Sequence, residues 1–239
     1  MSQFLALRLN ADTYPVEPAE RILLADAGAE LHCIEGRDDD EIGEAARSCD
    51  ALLVVSGYVR APVLPAMSRC RTVARLGAGT DRIDVHAATR LGIVVSNVPD
   101  FCIGEQADHT MALLLSSARQ LPFMQQAMRA GNWTARGHPG VLRLAGRSLG
   151  LIGFGASAQA VARRAMGFGL SLRAWTRNPD KYGAIAAALG VRLESLNTLL
   201  AASDFVSIHL PLTPDTRHLI GARELARMHS GAVLLNTAR

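Results

Sequence analysis

The 239-residue sequence predicts an α/β fold made of two doubly wound parallel-sheet domains. Three observations predict it. Short apolar runs alternate with stretches that carry apolar residues at helical spacing. The alternation starts twice, once at Phe4 and again at Ser148. Between the two series lie a long helical stretch and then a polar, glycine-containing segment, Gly131–Gly140.

The first series reads as strand Phe4–Leu9, helix Pro18–Ala27 with Gly28 as its stop, strand Glu30–Ile34 and helix Glu41–Arg47. It continues with a buried strand at Ala51–Val55, a short helix at Ala61–Met67, strand Thr72–Leu76, helix Val85–Arg90 and strand Ile93–Ser96. A long helix, Gly104–Leu121, follows, with an apolar stripe at Met111, Leu114, Leu115 and Ala118. The second series runs strand Ser148–Ile152, helix Ser157–Phe168, strand Ser171–Trp175, helix Asp180–Leu189 and strand Val191–Leu193. Helix Ser195–Ala201, strand Phe205–His209, helix Ala222–Met228 and strand Ala232–Asn236 complete it. The domains are expected to be residues 1–102 and 103–239.

Composition excludes several classes. Apolar residues make up 49% and charged residues 20%, ordinary for a globular protein. The net charge of +3 is small, and no run of cations forms a basic block, so neither nucleic acid nor a membrane is an expected partner. Lys181 is the single lysine. Cys33, Cys49, Cys70 and Cys102 match no metal knuckle and no Cys-x-x-Cys motif; they read as reduced, structural thiols, and no metal site is expected. The N-terminus lacks a basic start with a long apolar stretch, and runs such as Leu52–Val55 and Met111–Leu115 are too short to span a bilayer. A cytoplasmic location is the expectation.

Chemistry enters at Gly150–Ala158. Gly153-Phe-Gly155-Ala156-Ser157-Ala158 is a G-x-G-x-x-A pattern directly after a predicted strand and directly before a helix. Gly153 permits the tight turn, Gly155 lets the backbone approach a pyrophosphate, and small Ala158 lets helix and strand pack closely. The helix N-terminus adds N–H groups and the positive dipole end. A glycine turn that binds nothing is the alternative reading. About 20 residues on, an NAD fingerprint places a carboxylate. Here Trp175-Thr176-Arg177-Asn178 stands instead. Thr176 and Arg177 suit a 2′-phosphate, which makes NADP the preferred cofactor with NAD possible. A solvated arginine beside a helix cap is the bland alternative.

Several segments then resemble one family, in order and along the whole chain. Arg75-Leu-Gly77-Ala78-Gly79-Thr80-Asp81-Arg-Ile-Asp84 resembles the R-x-G-x-G-x-D-x-I-D segment of D-isomer-specific 2-hydroxyacid dehydrogenases. Asn97-Val-Pro99 and Glu105–Thr110 are similar to the hinge and first helix of that family's cofactor domain. His209-Leu210-Pro211-Leu-Thr213-Pro-Asp-Thr216 looks like its H-x-P-L-T-x-x-T segment, and Asn236-Thr237-Ala238-Arg239 matches its N-x-A-R.

The resemblance implies a flavodoxin-like substrate domain and a Rossmann-type cofactor domain, the latter incomplete, hinged with ligands in the cleft between them. It implies hydride transfer between NAD(P)H and a small 2-oxo or 2-hydroxy acid of D configuration. Arg239 would be catalytic, clamping the substrate carboxylate and polarising the 2-oxo oxygen. Ala78 and Gly79 would bind the carboxylate through backbone N–H groups. Besides the glycine loop, Thr110, Ala156, Ser157, His209, Leu210, Pro211, Thr216, Thr237 and Ala238 would meet the cofactor. Ala156 and Ser157 depart from the family's commoner arginine-isoleucine pair, which removes one pyrophosphate contact. The family's acid–base histidine and its glutamate come after N-x-A-R, so the chain as given is expected to lack activity and the full-length protein to be a homodimer. A non-catalytic dinucleotide-binding or redox-sensing protein of the same fold is the alternative. The first-domain loop Val54–Val59 carries no cation, which points to small unphosphorylated acids.

Overall fold

The computed structural model describes residues 4–133 and 140–238. The chain divides between Phe101 and Cys102 into two compact units. In the first, strands β1 (Phe4–Arg8), β2 (Ala29–Cys33), β3 (Ala51–Val54), β4 (Thr72–Arg75) and β5 (Val94–Ser96) form one parallel sheet, ordered β2-β1-β3-β4-β5. Its helices are α1 (Pro18–Asp26), α2 (Asp39–Ala45) and α3 (Val85–Arg90). Local chemistry sets their starts. Pro18 opens α1, and the Asp38 and Asp84 side chains accept from the N–H groups of Glu41 and Ala87, each at 2.8 Å. Leu7, Leu9, Ile42, Leu52, Val54, Leu64 and Val73 form the core between sheet and helices.

Strand order reverses between β1 and β3, and Asn10 holds that point. Its Oδ1 accepts from the N–H groups of Ser56 and Gly57 at 2.9 and 2.8 Å. This fixes the loop that follows β3.

The second unit contains α4 (Ile103–Arg119), α5 (Leu121–Arg129) and strands β6 (Ser148–Ile152), β7 (Ser171–Trp175), β8 (Arg192–Leu193), β9 (Phe205–Ile208) and β10 (Val233–Asn236). The strands are parallel in the order β10-β9-β6-β7-β8. Helices α6 (Ala156–Met166), α7 (Pro179–Ala188), α8 (Leu196–Ala202) and α9 (Ala222–Leu225) connect them. Every residue of β6 is buried, as a central parallel strand requires. Gly150 on this strand is pressed against α8: a Cβ there would collide with Ser203 Oγ and would meet Leu199 at 2.6 Å.

Two expectations change. The helix read as Gly104–Leu121 ends at Arg119, because Gln120 adopts φ +52. A separate helix, α5, starts beyond it with Pro122 in its first turn. The helix read at Ala61–Met67 is a single 3-10 turn, Leu64–Ala66; Pro62 and Pro65 have no N–H with which to build a longer one. Of the Gly131–Gly140 segment, residues 134–139 lie outside the described residues.

Candidate functional site

In the second unit the strand order reverses between β6 and β9, and the loops leaving these two strands flank the reversal. Open parallel sheets bind ligands outside the carboxyl ends of their strands at such a point. After β6 the chain turns at Gly153, with φ +92. A Cβ here would lie 2.6 Å from the His209 carbonyl oxygen and 2.8 Å from Leu210 Cδ2. Backbone cannot retreat from it, so glycine is required. Gly155 differs: a Cβ on it would meet nothing within 4 Å. Its extended backbone starts the eleven-residue helix α6, and no side chain caps that end. Open space above uncapped N–H groups fits a pyrophosphate. Ala158 is fully buried, as close packing of α6 demands.

The glycine loop is tied to the end of β9 through His209. Its N–H donates to Ile152 O at 2.8 Å. Its ring nitrogens sit 2.7 Å from Ser157 Oγ and 2.9 Å from Ser207 Oγ. Burial holds the imidazole down to about 4, so it is neutral at ordinary pH. It can orient the loop, but it carries no charge for an anion.

At the far side of the loop, β7 ends at Trp175. The Thr176 hydroxyl accepts from the Asn178 N–H at 3.3 Å. Arg177 is exposed, and its Nη1 lies 3.0 Å from Asp215 Oδ2. Asp215 follows β9, so the sequence reading that found no carboxylate near Thr176 missed it; nothing local to Trp175–Asn178 signals a partner 38 residues away. Thr216 closes the same loop, donating to Pro211 O at 2.5 Å and accepting from the Thr213 N–H at 2.8 Å. Leu210, Pro211, Thr216 and Asn236 line a cavity of about 170 Å³.

Thr110, Thr237 and Ala238 come together at the end of β10. Thr110 is fully buried, and its hydroxyl lies 2.9 Å from that of Thr237. Gln106 Nε2 donates to the Thr237 carbonyl at 3.1 Å, and the Ala238 N–H donates to Asn236 Oδ1 at 3.0 Å. Arg239 lies outside the described residues.

In the first unit, Ala78 and Gly79 stand in a turn after β4. Its carbonyls are all engaged: Gly77 O by the Val98 N–H at 3.1 Å, Ala78 O by Asn97 Nδ2 at 2.7 Å, Gly79 O by Arg75 Nε at 3.1 Å. Such a turn can present its N–H groups to an anion. Nearby, the guanidinium groups of Arg60 and Arg82 lie 4.8 and 5.0 Å from the centre of the Tyr58 ring. Arg60 also pairs with Asp39 at 2.8 Å, and Arg82 donates to the Ser56 carbonyl. The sequence reading saw no cation within this loop; the fold brings Arg82 to it from beyond β4.

Among the described residues, no helix is long and apolar enough to cross a membrane. Residues 111–239 match the family model for the NAD-binding domain of D-isomer specific 2-hydroxyacid dehydrogenases. A D-3-phosphoglycerate dehydrogenase of Mycobacterium bovis is 40% identical over 211 residues, which cover 88% of this chain and 39% of the relative. A glyoxylate reductase of Korarchaeum cryptofilum is 39% identical over 202 residues, 82% of this chain and 60% of the relative. The chain therefore spans about two fifths to three fifths of these relatives' lengths. The crystal structure of a glyoxylate reductase from Paecilomyes thermophila superposes with a TM-score of 0.86 at 29% identity, covering 100% of this chain and 74% of that one.

Proposed function

Because the chain belongs to the D-isomer-specific 2-hydroxyacid dehydrogenase family, we propose that it serves hydride transfer between a nicotinamide dinucleotide and a small 2-oxo or 2-hydroxy acid of D configuration. The observation that carries this reading is the pair Gly153 and Gly155: one is packed against the His209 carbonyl, the other opens into free space at the start of α6. When bound, a nicotinamide dinucleotide supplies or accepts the hydride. The chain's own residues bind and orient. The α6 N–H groups and the Gly155 backbone hold the pyrophosphate. Neutral His209 keeps the loops after β6 and β9 in fixed relation. The N–H groups of Ala78 and Gly79 hold the substrate carboxylate, and Arg239 supplies the planar, permanently charged clamp that also polarises the 2-oxo oxygen.

NADP(H) is the preferred cofactor and NAD(H) a tolerated one. No carboxylate stands at Thr176, and Arg177 offers a planar donor for a 2′-phosphate. To reach it, Arg177 exchanges an exposed pair with Asp215 for a charge-assisted bond to phosphate. The substrate is a small unphosphorylated acid, since the loop Val54–Val59 itself carries no cation. Arg82 beside Tyr58 favours a second reading, an acid with a negatively charged tail. The protein acts in the cytoplasm as a homodimer through its second unit; Leu121 and Met128 on α5, and Trp133 just beyond it, expose apolar side chains that a second copy would cover.

The test is titration of the chain with NADPH and NADH, followed by nicotinamide fluorescence. Activity is then assayed with glyoxylate, hydroxypyruvate and a phosphorylated 2-hydroxy acid. Saturable NADPH binding and turnover of the unphosphorylated acids are expected. Absence of dinucleotide binding would overturn the reading, and a preference for the phosphorylated acid would select the second one.

A further inference from the structure

Cys49 and Cys70 are separated in sequence, yet they meet at the start of two neighbouring strands. β3 and β4 pair in parallel with Ala51 opposite Thr72. One more ladder bond, from the Arg71 N–H to the Asp50 carbonyl at 2.9 Å, carries the pairing a step back. The same offset places Cys49 opposite Cys70. The Cys70 Sγ donates to the Thr72 carbonyl at 3.2 Å, and neither cysteine is in a disulfide. Neighbouring strands run about 4.8 Å apart, within the roughly 4.4–6.8 Å between Cα atoms that a disulfide bridges. Cys49 is fully enclosed. Cys70 lines a surface cavity of about 420 Å³ with Asp50, Ser68, Arg69 and Arg71.

We propose that Cys49 and Cys70 form a modification site, a dithiol that a hydroperoxide converts into a reversible disulfide between β3 and β4. Cys70, which borders the cavity, attacks one peroxide oxygen. The O–O bond breaks, the other oxygen takes the thiol proton and leaves as an alcohol, or as water from hydrogen peroxide, and Cys70 becomes a sulfenic acid. The Cys49 sulfur then attacks the Cys70 sulfur; the S–S bond forms, the S–O bond breaks, and the departing hydroxide takes the Cys49 proton as water. Two thiols lose two electrons and one peroxide gains them.

The division of roles follows from the surroundings. Cys70 borders the cavity beside Arg69 and Arg71, where an oxidant in solvent can approach. Cys49 is fully enclosed, with no route for an oxidant to its sulfur. The thiol an oxidant can approach is the one that attacks it, and the enclosed one opposite is placed to resolve it. Enclosure also keeps Cys49 from reaching any thiol outside its own fold.

The test is oxidation of the chain with stoichiometric hydrogen peroxide, alkylation of what remains, and peptide mapping without reductant. Two of the four free thiols should be lost to alkylation, in a linked peptide joining Cys49 to Cys70. Dithiothreitol should restore both. In Cys49→Ser, Cys70 should stop at the sulfenic acid and be trapped by dimedone. Mapping of the wild-type chain decides by itself should that variant fail to fold. Oxidation confined to Cys33 and Cys102, or Cys70 driven to sulfinic acid in the wild type with no linked peptide, would overturn the proposal.

Discussion

The Ser157 hydroxyl sits 2.7 Å from Nδ1 of His209, joining the first turn of α6 to the end of β9. Ser207 Oγ holds the other ring nitrogen at 2.9 Å. A hydroxyl both donates and accepts, so the neutral ring is satisfied in either tautomer. A protonated ring would be a buried charge, and burial holds its titration down to about 4. An unfolded histidine titrates near 6.5. Between these values only the unfolded chain takes up the proton. The stabilisation is complete above about pH 6.5 and is lost as pH falls toward about 4. The difference is worth about 3 kcal/mol at most. The thermal midpoint should therefore fall between pH 6.5 and 5 in the wild type, and less in His209→Gln. Identical slopes for both proteins would refute a neutral, buried His209.

Gly153 and Gly155 make opposite predictions although they are two residues apart. Gly153→Ala puts a Cβ 2.6 Å from a backbone carbonyl at φ +92. Backbone strain of this kind costs about 1–3 kcal/mol before the clash is counted, so the thermal midpoint should drop by roughly 5 °C or more. A Cβ on residue 155 would meet nothing within 4 Å, so Gly155→Val should cost no more than the loss of a glycine N-cap, about 1 kcal/mol. It should nevertheless lose dinucleotide binding, because its side chain fills the space a pyrophosphate needs. Melting curves and a fluorescence titration on the two variants check this. Retained NADPH binding by Gly155→Val would show that the ligand does not approach there.

What the sequence revealed was local, and what it hid was distant. The order of apolar runs and the loop Gly153–Ala158 could be read because strand, turn and helix chemistry lie within a few residues of each other. Gln120 was hidden, because a left-handed residue other than glycine leaves no compositional mark on an otherwise helical stretch. Asp215 beside Arg177, Arg82 beside Tyr58 and Cys49 beside Cys70 depend on strand order and register. None of these is legible until the sheets are assembled.

Arg173 and Glu194 pin β7 to the chain leaving β8. Arg173 Nη1 lies 2.7 and 2.9 Å from the two carboxylate oxygens, with side chains 19% and 11% exposed. Arg173 Nε has no partner among the described residues, so the guanidinium depends on Glu194. Glu194→Ala leaves that charge enclosed and should cost about 2–3 kcal/mol in urea unfolding, toward the lower end for breaking a buried pair. Arg192 reaches the same carboxylate at 3.5 Å but is 70% exposed. Arg192→Ala should therefore cost under about 0.5 kcal/mol. Equal costs for both would show that the Arg173 pair is hydrated.

Arg177 and Asp215 set the cofactor prediction. Their exposed pair is worth about 0–1 kcal/mol. A charge-assisted bond to a 2′-phosphate is worth roughly 1.5–3 kcal/mol. The exchange favours the phosphate by about 1 kcal/mol or more, close to a five- to tenfold gain in affinity. Arg177→Ala should then weaken NADPH binding by about that factor and leave NADH within about twofold. Asp215 competes for the same guanidinium and repels the same phosphate, so Asp215→Asn should tighten NADPH without helping NADH. Raised salt should narrow the wild-type difference, since both groups are exposed. Dissociation constants for both cofactors on the three proteins decide the matter. Parallel losses for NADPH and NADH in Arg177→Ala would mean that the arginine serves the fold or the shared half of the cofactor. An unchanged NADPH affinity in Asp215→Asn would mean that the carboxylate stays clear of the phosphate.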